Sequence, residues 1–591
     1  MRIVVMLLAG LLGACSTSKK DLSSPLAYVP AETPYVFANL EAMPEATVQA
    51  YEEMLKPVGE LYGTMLDELR AEVGKVGETE EEQRRIIGLI DLARDKMSIE
   101  GWERIGFSRR ARAAIYGVGV MPVVRIELGD AAKLRAFMGE IEAVVGKAIP
   151  TAEVDGQTYW RMAPDESGSF AVVMAIIDQH LVLTLDAGPE VAALPDLLGL
   201  RQPARSLADA GTLQQLNREF GYTPYGTVLL DNRRLATALL GTDGNDTWFS
   251  RKLGRDGAAL SSVCRAELMG MVEHLPRIIG GYTRIDGTGM DSHSLIELKP
   301  AVAQAFKDMV APVPGLGGFD GRMPTEFGFG LKLDKLAEFI QVQANAVAAE
   351  PYRCPELADL NASARDIGRQ TAGLYAAAGW FTGMRVVLQR LDWLDTTPDT
   401  QSIEGAVVIA SPSPLGLIGM LKSFVPQLSS LELAPGAAPQ RLPADGLEDA
   451  PPSWIGLNDV ALAIGVGEGA EAQVPAFLGA AAPARPPLLH FSYQGAFYGG
   501  LMRKYSEIVN SITESALDQI WDGDPGAMND EDKARKLERQ RGRERSETVQ
   551  RYIQRFGDAF NSMYDAVDYT AGSLVPVDRG LEFLQVMRVR R

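Results

Sequence analysis

A chain of 591 residues with four histidines has few groups that move protons near neutral pH. They are His180, His274, His293 and His490. None falls in an HExxH pattern, none stands within five residues of a cysteine, and no two sit at ligand spacing on one helix. The sequence therefore presents no zinc site. A nucleophile is equally hard to place. No GxSxG elbow appears, and SxxK occurs only at Ser16-Thr17-Ser18-Lys19, close to the amino terminus. The run MDSHSLIEL brings Asp291, Ser292 and His293 together, but on a strand Ser292 and His293 point to opposite faces. A hairpin end with polar residues accounts for it better than a triad. No GxxxxGK[ST] loop and no GxGxxG after a strand supports nucleotide binding. Two acidic turns invite calcium: Asp522, Asp524, Asn529, Asp530 and Asp532 in one, and Asp243, Asn245 and Asp246 in the other. In the first, Gly526 falls at position five where an EF-hand needs it at six, so turns and helix caps explain both. No metal and no cofactor are expected.

The three cysteines carry more information. Arg2 precedes an apolar run from Ile3 to Leu12, which is long enough for a secretory signal and too short to span a bilayer. The run closes with Leu12-Gly13-Ala14-Cys15. This segment resembles the lipobox of bacterial lipoproteins, and the chain is similar in that respect to uncharacterised outer-membrane lipoproteins of proteobacteria. The resemblance implies cleavage before Cys15 and acylation of its thiol and amino group. Several acyl chains hold a protein firmly to a bilayer. Ser16 follows the cysteine in place of an inner-membrane retention aspartate, which implies the outer membrane, facing the periplasm. The polar stretch to residue 25 reads as a tether. In an oxidising periplasm the remaining pair, Cys264 and Cys354, is expected as a disulfide.

Composition sets the outer limits. With 46% hydrophobic residues the chain can bury large cores. Its net charge is −19, which argues against nucleic acid and against spreading over anionic lipid.

The elements themselves repeat. TPYVFANLEAMPEATV (33–48) has an echo in TEFGFGLKLDKLAEFI (325–340), and the Gly-Trp segment at 101–138 has one at 379–421. The echoes continue with 170–199 and 453–480, then 224–240 and 487–502, and finally 281–299 and 568–588. Five pairs in one order point to a tandem duplication. The halves are residues 26–311 and 325–591, joined by the Gly/Pro-rich linker 312–324. Tight turns between neighbouring strands imply antiparallel pairing. The expected class is α+β, with a mostly antiparallel sheet covered by helices in each half.

Two stretches exceed what a sheet-covering helix needs. Tyr51 to Leu69 with Ile86 to Met97, and Leu501 to Ile520 with Val549 to Val567, carry apolar residues at helical spacing and read as projecting helical hairpins. The second carries Lys533, Arg535, Lys536, Arg539, Arg541, Arg543 and Arg545, a basic finger able to contact an acidic envelope protein or an anionic lipid headgroup. With the anchor and the lack of catalytic motifs, these features point to a non-enzymatic binding or scaffold protein of the cell envelope. Two other readings stand beside it: a carrier of an apolar or lipid ligand, and a hydrolase whose site gathers residues distant in sequence.

Overall fold

The computed structural model describes residues 21–590, apart from 77–78, 97–98, 164–169, 243–244, 255–257, 319–322, 392–402, 444–450, 506–556, 558–560 and 562. Alternating β-branched and aromatic residues form the strands. In the first half they are β1 Tyr35–Ala38, β2 Ala113–Val118, β3 Met121–Glu127, β4 Thr151–Val154 and β5 Gln157–Met162. There follow β6 Ala171–Ile177, β7 His180–Asp186, β8 Thr227–Asp231, β9 Arg277–Asp286 and β10 Gly289–Glu297. The second half has β11 Thr325–Gly330, β12 Gly383–Leu391, β13 Ile403–Ala410, β14 Gln440–Arg441 and β15 Ser453–Leu457. It ends with β16 Ala461–Val466, β17 Leu489–Gln494, β18 Val567–Val577 and β19 Gly580–Val589.

Helices fill the connections. They are α1 Glu45–Val76, α2 Glu80–Lys96, α3 Ile99–Arg104, α4 Ala131–Val145 and α5 Leu194–Leu198. Next come α6 Leu207–Ala210, α7 Thr212–Phe220, α8 Asn232–Leu240, α9 Trp248–Leu253, α10 Ser262–Val272 and α11 Pro300–Met309. The second half adds α12 Leu333–Ala349, α13 Ala358–Ala378, α14 Pro414–Phe424 and α15 Ala470–Leu478. The mixed α+β class and antiparallel pairing hold.

Where a sheet in each half was expected, all nineteen strands among the described residues belong to one antiparallel sheet. Its spatial order is β4-β5-β6-β7-β3-β2-β1-β8-β9-β10-β19-β18-β17-β11-β12-β13-β16-β15-β14. The halves meet where Gly289–Glu297 pairs with Gly580–Arg588. The physical reason is the edge problem: β10 and β19 would each end a half-sheet with a row of unpaired backbone groups, and pairing removes both edges. Ion pairs lock the seam at both ends. Arg588 binds Asp291, and Arg579 donates to Glu297 Oε1 at 2.6 Å. Counted outward from the seam, the order β10-β9-β8-β1-β2-β3-β7-β6-β5 meets the order β19-β18-β17-β11-β12-β13-β16-β15-β14.

Alternation divides the core between two faces. On one, β1, β2, β3 and β6 bury Val36, Ala38, Tyr116, Val123 and Val173 against α5, α6 and α7. Farther along the same face, Val387, Val408 and Ala463 pack on Val474 and Phe477 of α15. On the other face, Leu181 and Ile176 pack on Leu134 of α4, and Leu462 and Ile455 pack on Ile418 of α14. The Gly/Pro segment before β11 is more than a connector, because Val313 and Leu316 are fully buried beside Ala410. Its counterpart before β1 is the 3-10 turn Pro25–Tyr28, which buries Leu26.

The helical hairpins differ from expectation in one respect. Helices α1 and α2 pair as anticipated, with Arg70 Nε donating to Asp91 at 2.7 Å. Helix α2 also rests on α4, where Gly88 lies against Val144. The equivalent place after β11 holds a second pair, α12 and α13, which the sequence reading missed. Its inward residues include Ala337 and Ala344, so small side chains replace the large apolar stripe that marks an amphipathic helix. The segment after β17 continues as helix over 495–505, and the basic cluster from Lys533 to Arg545 lies outside the described residues. Among the described residues no helix is long and apolar enough to cross a membrane.

Candidate functional site

The polar side chains of greatest interest share one register row on the face that carries α5 and α15. From the seam outward into the second half the row reads His293, Leu584, Ser573, His490, Gly328, Arg385 and Val408. In the first half Arg125 aligns with Ala114, and Ala114 with Ala38. Strand pairing thus places two arginines and two histidines, distant in sequence, along one line across the sheet.

The two arginines are held differently. Arg385 Nη2 donates to Glu326 Oε2 at 3.0 Å, with both side chains buried. Arg125 is fully buried, and among the described residues no carboxylate pairs with it. Its Nη2 donates to the Leu198 carbonyl at 2.6 Å, and the Tyr28 ring lies 3.8 Å from the guanidinium carbon. A ring face and a carbonyl at the carboxyl end of α5 supply the negative potential that a carboxylate supplies in the other half. A left-handed glycine accommodates each cation. A Cβ on Gly199 would stand 2.5 Å from Arg125, and one on Gly315 would stand 2.1 Å from Arg385.

The histidines sit nearer the middle. His293 Nδ1 and the Tyr222 hydroxyl are 2.7 Å apart, with Glu582 at 3.6 Å from Nε2. Burial holds the His293 pKa below its ordinary value, although Glu582 opposes this. Burial, and then Glu582, pushes the Tyr222 hydroxyl far up. His490 Nδ1 lies 2.8 Å from Ser573 Oγ, and its Nε2 is 4.0 Å from Glu326 Oε1. Burial lowers the His490 pKa, as it does for His180 on β7.

Ser573, His490 and Glu326 have the residue types of an acyl-transfer triad, yet the arrangement falls short of one. Glu326 is committed to Arg385. Ser573 lies inside the β17–β18–β19 ladder, where neighbouring backbone amides are spent on strand pairing and do not form an oxyanion hole. The row is best described as a buried polar line whose two histidines, like His180 on β7, are held by burial below their ordinary pKa. Ser292 and His293 do occupy successive positions of β10 and so opposite faces.

Neutral buried histidines make stability depend on pH. Each binds fewer protons folded than unfolded between its lowered folded pKa and the ordinary value near 6.5. Stability is therefore complete above about pH 6.5 and falls as pH drops through that window, by up to about 1.4 kcal/mol per pH unit for each histidine. Urea midpoints at pH 7.5 and 5.5 check this, and His293→Asn with His490→Gln should flatten the difference. A second loss is expected near pH 2–4, where the Asp286 carboxyl, held at about 2 chiefly by Thr288, becomes protonated.

The opposite face has another character. Here a row runs Val124, Ile115, Phe37 and Val228 in the first half. It passes through Gly280 and Ser294 and is continued by Phe583, Leu574, Leu489, Phe329 and Met384 in the second. Phe37 is 43% exposed, Ile115 42% and, one row away, Phe327 46%. Helices α4 and α14 cover the two wings of this face, while α1 touches β9 and α11 touches β18 and β19; the apolar floor is the part that the described residues leave exposed, at β1–β2 and at β11. From β2 to β11 the row crosses eight strand spacings, about 38 Å at the usual separation.

The other residues singled out in the sequence fall as follows. The sulfurs of Cys264 and Cys354 are at bonding distance and join α10 to the turn between α12 and α13. Asp246 is paired with Arg265 at 2.9 Å. Asp243, the loop from Asp522 to Asp532 and Cys15 lie outside the described residues. The apolar floor and the polar row escaped the sequence because each depends on strand order. No protein family, curated protein or solved structure matches the chain.

Proposed function

We propose that the chain is a lipid-anchored, non-enzymatic binding or scaffold protein of the bacterial cell envelope. Acylated Cys15 tethers its body to the outer membrane on the periplasmic side. The observation that carries the binding role is the apolar floor, where Phe37 and Ile115 on β1–β2 and Phe327 on β11 are exposed on one face of the sheet. Large apolar side chains exposed together in this way mark an interaction surface. A tandem duplication of one α+β unit accounts for the matched strand order on either side of the seam. It also explains why five pairs of similar segments occupy corresponding strands. The basic segment from Lys533 to Arg545 offers a second contact, for an acidic envelope protein or an anionic lipid headgroup. The alternative favoured by the same floor is a carrier for an apolar or lipid ligand.

Native mass spectrometry of the chain exported with Cys15 replaced distinguishes these readings. A scaffold gives the bare mass, and a photo-crosslinker placed at Phe327 in cells captures a discrete envelope protein that Phe37→Asp with Phe327→Asp releases. A reproducible added mass of lipid size selects the carrier. A bare mass with no specific crosslink removes the floor as a binding surface.

A further inference from the structure

The disulfide has a third member. Glu356 Oε2 lies 2.9 Å from Cys264 Sγ and 3.1 Å from Cys354 Sγ. All three atoms fall within 4.8 Å of one another. A sulfur already bonded to another sulfur has no proton to donate, so a carboxylate gains no hydrogen bond from it. Two thiolates and a carboxylate, by contrast, are a ligand set for zinc and similar thiophilic cations, with a fourth position left for water.

The surroundings fix all three side chains. Ser261 caps the amino end of α10 by accepting from the Cys264 amide at 3.1 Å. The Glu267 carboxylate accepts from the amides of Arg353 and Cys354 at 2.9 and 3.0 Å, which pins the turn that carries both Cys354 and Glu356. Leu240, Leu260 and Leu357 form one buried apolar cluster with both cysteines. Glu356 is less buried than either cysteine and marks the side from which an ion could enter. Such support around the ligands is what a metal site needs and what a plain covalent crosslink does not.

We propose that the reduced form of this cluster is a metal site. Cys264, Cys354 and Glu356 would together bind one thiophilic divalent cation, so that the two halves are clipped either by an S–S bond or by an ion. Reduction by a phosphine and water converts the disulfide to two thiols and the phosphine to its oxide. Binding of the cation then releases two protons to solvent and leaves a site with two thiolates, one carboxylate and one open position.

The test uses the full chain with Cys15 replaced, reduced with a phosphine, freed of metal and checked for native near-ultraviolet circular dichroism. Titration with cobalt(II) should give one ion per chain, a sulfur-to-cobalt charge-transfer band, release of about two protons and displacement by zinc. The air-oxidised chain should show none of these. Glu356→Gln should weaken cobalt binding at least tenfold while leaving both thiols reactive. The absence of a band in folded, reduced protein overturns the proposal. An equal affinity in Glu356→Gln, or in protein unfolded by urea, overturns it too, because the sulfurs would then bind cobalt without the arranged carboxylate. Loss of native dichroism on reduction would also refute it, since no folded site would remain to be loaded.

Discussion

Arg385→Met lowers the stability of the body by about 3–5 kcal/mol, the range for breaking a buried ion pair from one side. Arg125→Met, a change of the same size and chemistry, shifts it by no more than about 1 kcal/mol. The difference lies in what each substitution leaves behind. Removing Arg385 leaves Glu326, which is 1% exposed, with only the Gly317 amide donating to Oε1 at 3.4 Å and His490 at 4.0 Å among the described residues. A lone carboxylate in that position must be buried charged or take up a proton, and either is costly. Removing Arg125 strands no opposite charge among the described residues. The Leu198 carbonyl loses a donor, but a buried guanidinium with two unpartnered nitrogens is removed as well. Pairing Arg385→Met with Glu326→Leu should recover most of the loss. Urea unfolding followed by circular dichroism reads all three variants, and equal losses at Arg125 and Arg385 would show that the carboxylate is not the cause.

The contrast between these arginines also shows what the sequence conceals. Arg385 and Glu326 are 59 residues apart, and no local pattern marks them as partners. They meet because β11 and β12 pair with Gly328 opposite Arg385 and Glu326 opposite Val387. Local patterns, in contrast, carry far. The alternation that defines β9 and β10, the tight turn between them and the matching hairpin β18–β19 are readable from single segments, and so is the antiparallel class. Their docking is not. Whether two hairpins end two sheets or join one depends on the edges, and an edge strand and a central strand of an antiparallel sheet read alike when one face is polar.

The same limit explains the floor and the missed helices. Phe37 and Phe327 belong to strands legible in the sequence, but period two assigns alternate residues to a face without saying whether a helix covers it. Coverage depends on where α4 and α14 come to lie. The pairing of α12 with α13 went unrecognised because buried alanines such as Ala337 and Ala344 give little apolar contrast along the sequence. Conversely, Val313 and Leu316 belong to a stretch whose glycines and prolines read as a linker. The same glycines are what let the chain bend into the core, since Gly315 and Gly317 adopt left-handed backbone angles there.

Opening the Cys264–Cys354 bond should lower the stability by about 4–5 kcal/mol, the chain-entropy value for a loop with a sequence separation of 90. The location makes the effect larger than a surface crosslink would suggest. The bond joins α10 of the first half to the α12–α13 turn of the second, and the loop it closes contains β9, β10 and β11. With the bond intact, an unfolding chain keeps α10 beside the α12–α13 turn. The route from Glu297 to its partner Gly580 is 283 residues along the chain and still about 260 through the bond, so the bond stabilises through its own closed loop and hardly changes the closure of the β10–β19 ladder. Cys264→Ala with Cys354→Ala should therefore lower the urea midpoint of the folded body. Hydrogen exchange should report faster opening of β9, β10 and β11, which the closed loop contains, than of β6 and β7, which lie outside it. Equal midpoints for the oxidised chain and the double variant would mean that the seam's own ladder and ion pairs already hold the halves together.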